Sequence, residues 1–301
     1  MFNIMETQDK FLQVRAPKAG LCLGITAKPS VMGILNVTPD SFSDGGRYQE
    51  VSAALFRTEQ MLKEGAAIID IGAASSRPKG VVYGKGALLI TAEEEKKRLL
   101  PVVEAITLRF PEAILSIDTF RSDVAGAAME VGADILNDIT ALRFDPEMAS
   151  VAARYEAPLI LMHSVGLPGE MPHAGENPHL VQDICSALGL AVAQSRKAGV
   201  TQIITDPGFG FGKSHSENLA LIKGIPALLA LGTPVMVGVS RKSTIGTLLN
   251  PSGAPLPPEK RLFGALGVTA IALYQGAKLV RTHDVGETVQ FIELMYATMF
   301  A

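Results

Sequence analysis

"AILSIDTFRSDVAGAAMEVGADILNDI", Ala113 to Ile139, holds one complete strand, helix and strand, and its reading decides the fold. The opening run "AILSID" reads as a strand apolar on both faces, the pattern of a parallel sheet covered by helices. Helical periodicity follows from Ser122 to Val131, and a second apolar run starts near Asp134. The same unit recurs in both directions. Strands are expected to begin near Met32, Ala67, Ala113, Asp134, Pro158, Thr201, Pro234 and Lys278. Helices are expected over Ser52 to Glu64, Ala92 to Arg109, Ser122 to Val131, Pro146 to Tyr155, Val181 to Lys197, Asn218 to Leu231, Lys260 to Gln275 and Gly286 to Met299. Eight βα units at a spacing of roughly 35 residues fit a closed (β/α)8 barrel better than a doubly wound sheet, which usually carries five or six strands. No linker divides the chain, so residues 31–301 read as one barrel and residues 1–30 as an N-terminal extension or a plug beneath it.

Composition narrows the function classes. With 48% apolar residues, 19% charged residues and a formal charge of −3, the chain is a folded globular protein without the basic surface that nucleic acid requires. The longest uncharged run, Gly224 to Ser240, is interrupted by Gly232, Thr233 and Pro234, so it cannot form a membrane helix of about 20 residues. Cys22 and Cys185 lie far apart outside any C-x-x-C pattern and read as buried free thiols. The N-terminal "MFNIMETQDKFLQVR" mixes charges and lacks an apolar core segment, unlike a secretory signal; the expected setting is cytoplasmic.

In a barrel of this kind the site lies at the C-terminal ends of the strands. Those ends carry Asn36, "SSRP" at 75–78, Asp118, Asn137 with Asp138, His163, Asp206, "SRK" at 240–242, and Arg281 with His283. Any one of these is readily explained as a helix cap, but eight on one rim are not. Asp118, Asn137 and Asp206 suit the alternating donors and acceptors of a polar heterocycle, while Arg77, Arg281 and His283 suit an anion. The implied ligand is a heterocycle joined to a phosphate-like group.

Three segments sharpen this picture. "GFGFGKS", Gly208 to Ser214, mimics a phosphate-binding P-loop, but that motif needs glycine where Pro207 stands. Its glycines are expected to let backbone approach a flat ligand, with Lys213 reaching over the ligand edge and Phe209 and Phe211 packing. "VGVSRKSTIG" leads a strand into Ser240, Arg241, Lys242 and Ser243 and then a helix, a setting suited to an anion. "GILNVTPDSFSDGG", Gly33 to Gly46, is far longer than the usual loop of about 4–6 residues and keeps Phe42, as a lid would. Of the histidines, His283 and His163 end strands, whereas His173, His179 and His215 fall in loops and read as solvated.

"GILNVTPDSFSDGG", "SIDTFRSDVA", "LNDI", "LMHSVG", "DPGFGFGK", "VGVSRKS" and "GAKLVRTHDV", in this order, resemble the dihydropteroate synthases. The resemblance implies a homodimeric barrel of folate biosynthesis that joins dihydropterin pyrophosphate to p-aminobenzoate and is inhibited by sulfonamides. It also implies that Asp118, Asn137, Met162, Asp206 and Lys242 bind the pterin, and that Asn36 coordinates Mg²⁺. Asn36, Arg77, Arg281 and His283 would hold the pyrophosphate, and Ser76, Arg77, Pro78, Ser240 and Ser243 the aminobenzoate. Asp40, Arg77 and Lys242 would form the catalytic set of an SN1-like displacement, Asp40 stabilising the cation and Phe42 excluding water. "DIGAASSRPKG" departs from the family's usual "DIGGESTRPG" at Ala73, Ala74 and Ser76. Those departures bear on activity and on sulfonamide response, and leave a weakly active or non-catalytic pterin-binding paralogue as the rival reading. A pterin-dependent methyltransferase has no need of "SRKS" or "TPDSFSDGG".

Overall fold

The computed structural model describes residues 11–12, 18, 20–24, 27–37, 47–74, 90–166 and 176–300. Asp40, Phe42, Ser76, Arg77, Pro78 and His173 lie outside them. Two short strands come first, β1 (Phe11–Leu12) and β2 (Leu21–Cys22), paired antiparallel. The repeat then runs β3 (Ser30–Asn36), α1 (Arg47–Lys63), β4 (Ile68–Gly72), α2 (Ala92–Arg109), β5 (Leu115–Asp118), α3 (Ser122–Glu130), β6 (Ile135–Asp138), α4 (Met148–Arg154) and β7 (Leu159–Met162). It continues with α5 (Leu180–Lys197), β8 (Ile203–Asp206), α6 (His215–Lys223), α7 (Ile225–Leu229), β9 (Met236–Val237), α8 (Ser243–Leu249), α9 (Leu262–Tyr274), β10 (Leu279–Thr282) and α10 (Val285–Phe300).

Strands β3 to β10 are parallel in the order β8-β7-β6-β5-β4-β3-β10-β9. The last seam closes through a parallel bridge between Thr205 and Val235, with the Thr205 N–H donating to the Pro234 carbonyl at 3.0 Å. The result is the expected (β/α)8 barrel. One expected helix is interrupted: Asn218 to Leu231 is α6 followed by α7, broken at Gly224. Pro226 has no N–H to continue the ladder and sits in the first turn of α7, where that loss is tolerated. The start of α6 is fastened by a reciprocal cap, Ser214 accepting from the Glu217 N–H while the Glu217 carboxylate accepts from the Ser214 N–H.

Alternation along each strand sends successive side chains to opposite faces, which separates two cores. Outward residues such as Leu35, Ile69, Ile117, Leu136 and Leu161 pack under the helices. Inward residues at the strand starts, Met32, Ile68, Ile114, Ile135, Ile160, Ile204, Met236 and Leu279, fill the lower barrel, and Leu23 from the N-terminal extension packs among them. Lys278 Nζ donates to the Ala27 carbonyl at 2.8 Å, and Lys18 pairs with Asp134 at 2.5 Å. These contacts make the described part of the extension a plug at the strand N-termini. Cys22 and Cys185 are free, as read, but half-buried rather than buried. Among the described residues no helix is long and apolar enough to cross a membrane.

Candidate active site

Two residues beyond the lower layer, the inward position is polar on five of the eight strands: Asp70 follows Ile68, Ser116 follows Ile114, Asn137 follows Ile135, Asp206 follows Ile204 and Arg281 follows Leu279. Parallel pairing sets Asp70 beside Ser116 and Asn137 beside Asp118, and the side chains of Asn137 and Arg281 both reach Asp70. Above them, at the C-terminal ends of the strands, opens a cavity. Asn137, Met162 and Asp206 line it from one side, and Ser240, Lys242, Arg281 and His283 from the other. Phe209, Phe211, Ile34 and Ile139 supply apolar wall.

Asp70 ties the floor together. It is fully buried, and the Arg281 Nε–H donates to its Oδ2 at 2.6 Å. A second Arg281 N–H, on Nη2, donates to Asp118 Oδ2 at 2.7 Å. The Asn137 amide nitrogen donates to both Asp70 oxygens, at 3.3 and 3.2 Å, while the buried Asn137 Oδ1 has no hydrogen-bond partner. These contacts qualify the reading of Arg281 as an anion holder: two of its five N–H donors are committed to carboxylates, and three remain for a ligand. Asp70 was not identified from the sequence, where "AIIDIG" reads as a strand apolar on both faces. The signal was a carboxylate at an inward position of a buried strand, a group that is almost never fully buried unless paired.

Burial and pairing set the protonation of the site. Burial pushes the Asp118 carboxyl up to about 7 against the pull of Arg281, and the Asp206 carboxyl up to about 6 against the Gly208 N–H that donates to its Oδ1 at 2.7 Å. Lys242 is drawn down to about 8 by burial and by Arg281. Its ammonium lies 3.8 Å from the Phe211 ring centre, a cation–π contact. Paired carboxylates hold Arg281 above its ordinary value against the effect of burial. His283 is drawn down to about 3 by burial and by Arg241 and Arg281, so its ring is neutral at pH 7. Ser240 Oγ lies 3.1 Å from His283 Nδ1 and accepts the His283 backbone N–H at 3.2 Å.

Other candidates have structural duties. Asp138, next to Asn137, points away from the cavity and caps its own loop, accepting from the Thr140 N–H, the Thr140 hydroxyl and the Leu142 N–H. That support accompanies left-handed backbone at Ala141 and Leu142. Lys213 does not reach over a ligand. Its ammonium donates to the carbonyls of His163, Gly208 and Phe211 at 3.1, 2.8 and 3.2 Å, with burial drawing it down to about 7. Gly208 makes room for backbone rather than for a ligand: at φ +71°, a Cβ there would lie 1.8 Å from the His163 carbonyl oxygen. His163 is a neutral ring, drawn down to about 3 mainly by burial, and does not line the cavity. Asn36 is exposed at the end of β3, and Ser243 opens α8 directly after Lys242. His179 and His215 are exposed, His215 with its Nδ1 3.2 Å from the Thr244 hydroxyl.

A family model described as "Pterin binding enzyme" matches residues 32–283. The dihydropteroate synthase of Escherichia coli (strain K12) is 41% identical over 275 residues, 91% of this chain and 93% of that protein. The structure of the Yersinia pestis dihydropteroate synthase in a sulfonamide drug complex superposes with a TM-score of 0.84 at 39% identity, over 97% of this chain and 100% of that one. That of Xanthomonas albilineans dihydropteroate synthase with 4-aminobenzoic acid gives 0.82 at 37% identity, over 94% and 96%. With that extent of similarity and a buried polar cavity at the strand ends, the chain belongs to the pterin-binding enzymes, within the dihydropteroate synthase family.

Proposed function

We propose that the cavity binds 6-hydroxymethyl-7,8-dihydropterin pyrophosphate and that the enzyme condenses it with p-aminobenzoate, giving 7,8-dihydropteroate and pyrophosphate. What carries this reading is the cluster of buried polar groups beneath apolar walls: Asn137 Oδ1, an acceptor lacking a partner, with Asp206 and Lys242 lining the same cavity. The pterin, an alternating ring of donors and acceptors, matches that set, and Met162 and Phe211 cover its faces. Asp118 joins the pterin set through its contact with Arg281.

The C–O bond to pyrophosphate breaks first, leaving positive charge on the pterin methylene. The aniline nitrogen of p-aminobenzoate then forms the new C–N bond and loses a proton. Arg281, through its uncommitted donors, and His283 receive the leaving pyrophosphate with Arg77 and Asn36, while Asp40 stabilises the cation. Ser76, Arg77, Pro78, Ser240 and Ser243 hold the aminobenzoate, and sulfonamides compete there. Mg²⁺ commonly binds through substrate phosphates with only one or two protein oxygens, and the exposed Asn36 at the end of β3 offers such an oxygen. Asn36 would hold the ion, which would supply charge neutralisation on the departing pyrophosphate. Exposed Phe263 (85%), Tyr274 (73%) and Ile271 on α9, with Leu294 on α10, form an apolar face that a second copy of the chain would cover, giving a homodimer. Two free thiols agree with a cytoplasmic setting.

The test is pyrophosphate release by the purified protein with Mg²⁺ and the dihydropterin pyrophosphate, with and without p-aminobenzoate. Release dependent on p-aminobenzoate, with dihydropteroate as product, supports the synthase. Tight pterin binding without release would instead make the chain a non-catalytic paralogue, uncoupled at Ala73, Ala74 and Ser76.

A further inference from the structure

Asp70 has no counterpart in the ligand set above, yet two cavity-lining groups depend on it. Its carboxylate, paired with Arg281 at 2.6 Å, offers only acceptors. Asn137 faces both Asp70 oxygens through its nitrogen. Turned over, that amide would set its carbonyl oxygen against two carboxylate oxygens, so one orientation alone is allowed. In it the Oδ1 atom is left buried and without a partner in a side chain that lines the cavity. An unpartnered acceptor of this kind is unfavourable until a donor meets it. The neighbouring cavity acceptor, Asp206, already receives the Gly208 N–H on Oδ1 and is itself a carboxylate. This side of the cavity therefore calls for N–H groups on the ligand, and a dihydropterin carries several along one edge.

We propose that Asp70 is a positioning residue: it locks the Asn137 amide with its oxygen toward the cavity and so selects the N–H-bearing edge of the heterocycle. The inference rests on the pterin reading and deepens it. Asp70 touches no substrate; it acts through Asn137 and, by the same carboxylate, holds Arg281 in place. Asp70→Asn would release the lock, because an amide at 70 can donate to Asn137 Oδ1 and turn the Asn137 nitrogen toward the ligand. The exchanged pair Asp70→Asn with Asn137→Asp would restore it, since Asn at 70 then donates and the carboxylate at 137 keeps an acceptor facing the cavity.

The experiment measures calorimetric binding of 6-hydroxymethylpterin, and steady-state KM for both substrates, in wild type, Asp70→Asn, Asp70→Ser and the exchanged pair. Asp70→Asn and Asp70→Ser are expected to weaken pterin binding at least about tenfold, with KM for p-aminobenzoate changed less than about threefold. The exchanged pair is expected to return within about threefold of wild type. Unchanged pterin affinity in Asp70→Asn, or an exchanged pair no better than that single variant, would overturn the proposal. So would loss of fold in both single variants, which would make Asp70 a structural ion pair only. A wild type that binds no pterin would overturn the function reading itself; wild-type binding with unaffected variants would overturn this inference alone.

Discussion

Asp206 lines the cavity from the end of β8 and keeps its carboxylate at a cost to the fold. Burial raises its pKa from 3.8 to about 6 despite the Gly208 N–H and the nearby lysines and Arg281. Two pKa units at about 1.4 kcal/mol each give a penalty of ~3 kcal/mol on the ionised form. The folded state therefore binds this proton more tightly than the unfolded chain. The penalty is absent below about pH 4, develops between about 4 and 6, and is complete above that window. Asp206→Asn removes the charge and keeps a carbonyl oxygen for the Gly208 N–H. The variant is expected to be ~3 kcal/mol more stable than wild type at pH 8, a rise in Tm of roughly 5–10 °C. At pH 4.5 the difference should shrink to about 1 kcal/mol or less. Pterin affinity should fall about a hundredfold at pH 8, since hydrogen bonds to a charged acceptor are each worth about 1.5–3 kcal/mol. Thermal and urea unfolding at the two pH values, with calorimetric titration of 6-hydroxymethylpterin, measures all three quantities. A variant less stable than wild type at pH 8, or a stability difference independent of pH, would refute the reasoning and show that Lys242, Lys213 and Arg281 more than offset the burial.

Three further outcomes are expected. Asp40→Ala should lower kcat about 10²- to 10³-fold while pterin binding survives, as for loss of a group that acts only on developing charge; near-wild-type kcat in steady-state assays would remove Asp40 from the mechanism. Lys213→Met should destabilise the fold by about 2–4 kcal/mol in urea titrations, because three buried carbonyls lose their donor. Pterin affinity should change less than about threefold in that variant, and a folded Lys213→Met protein that has lost pterin would return Lys213 to the ligand. Phe263→Glu, at the most exposed large apolar residue of α9, should convert a dimer to a monomer in light-scattering measurements; a wild type that is already monomeric would refute the dimer.

The barrel was legible because its signal is local. Each strand begins within two residues of the expected position, since a short apolar run between turn residues has few alternatives once eight recur at regular spacing. The break between α6 and α7 was written in Gly224 and Pro226 but lost to the stronger apolar periodicity across them. At the site, Asn137, Asp206, Ser240, Lys242, Arg281 and His283 were found because they stand at strand ends, where this architecture builds its cavity, whereas Met162 came only from the family resemblance. Asp138 is adjacent to Asn137 and equally polar; only the alternation of faces separates a ligand group from a loop cap. Lys213 was misjudged because a four-carbon stem reaches cavity or backbone equally well, and the left-handed turn at Gly208 directs it to carbonyls.

Sequence alone determined the eight βα units, the end of the barrel that carries chemistry, the family resemblance and the residue types gathered there, because strand and helix periods and strand-end positions are properties of neighbouring residues. Tertiary structure decided which of those residues are partners. Asp70 and Arg281 stand 211 positions apart and meet at 2.6 Å only when the barrel closes. The orientation of Asn137 follows from that meeting, since an amide has two nearly equivalent ends until a carboxylate selects one.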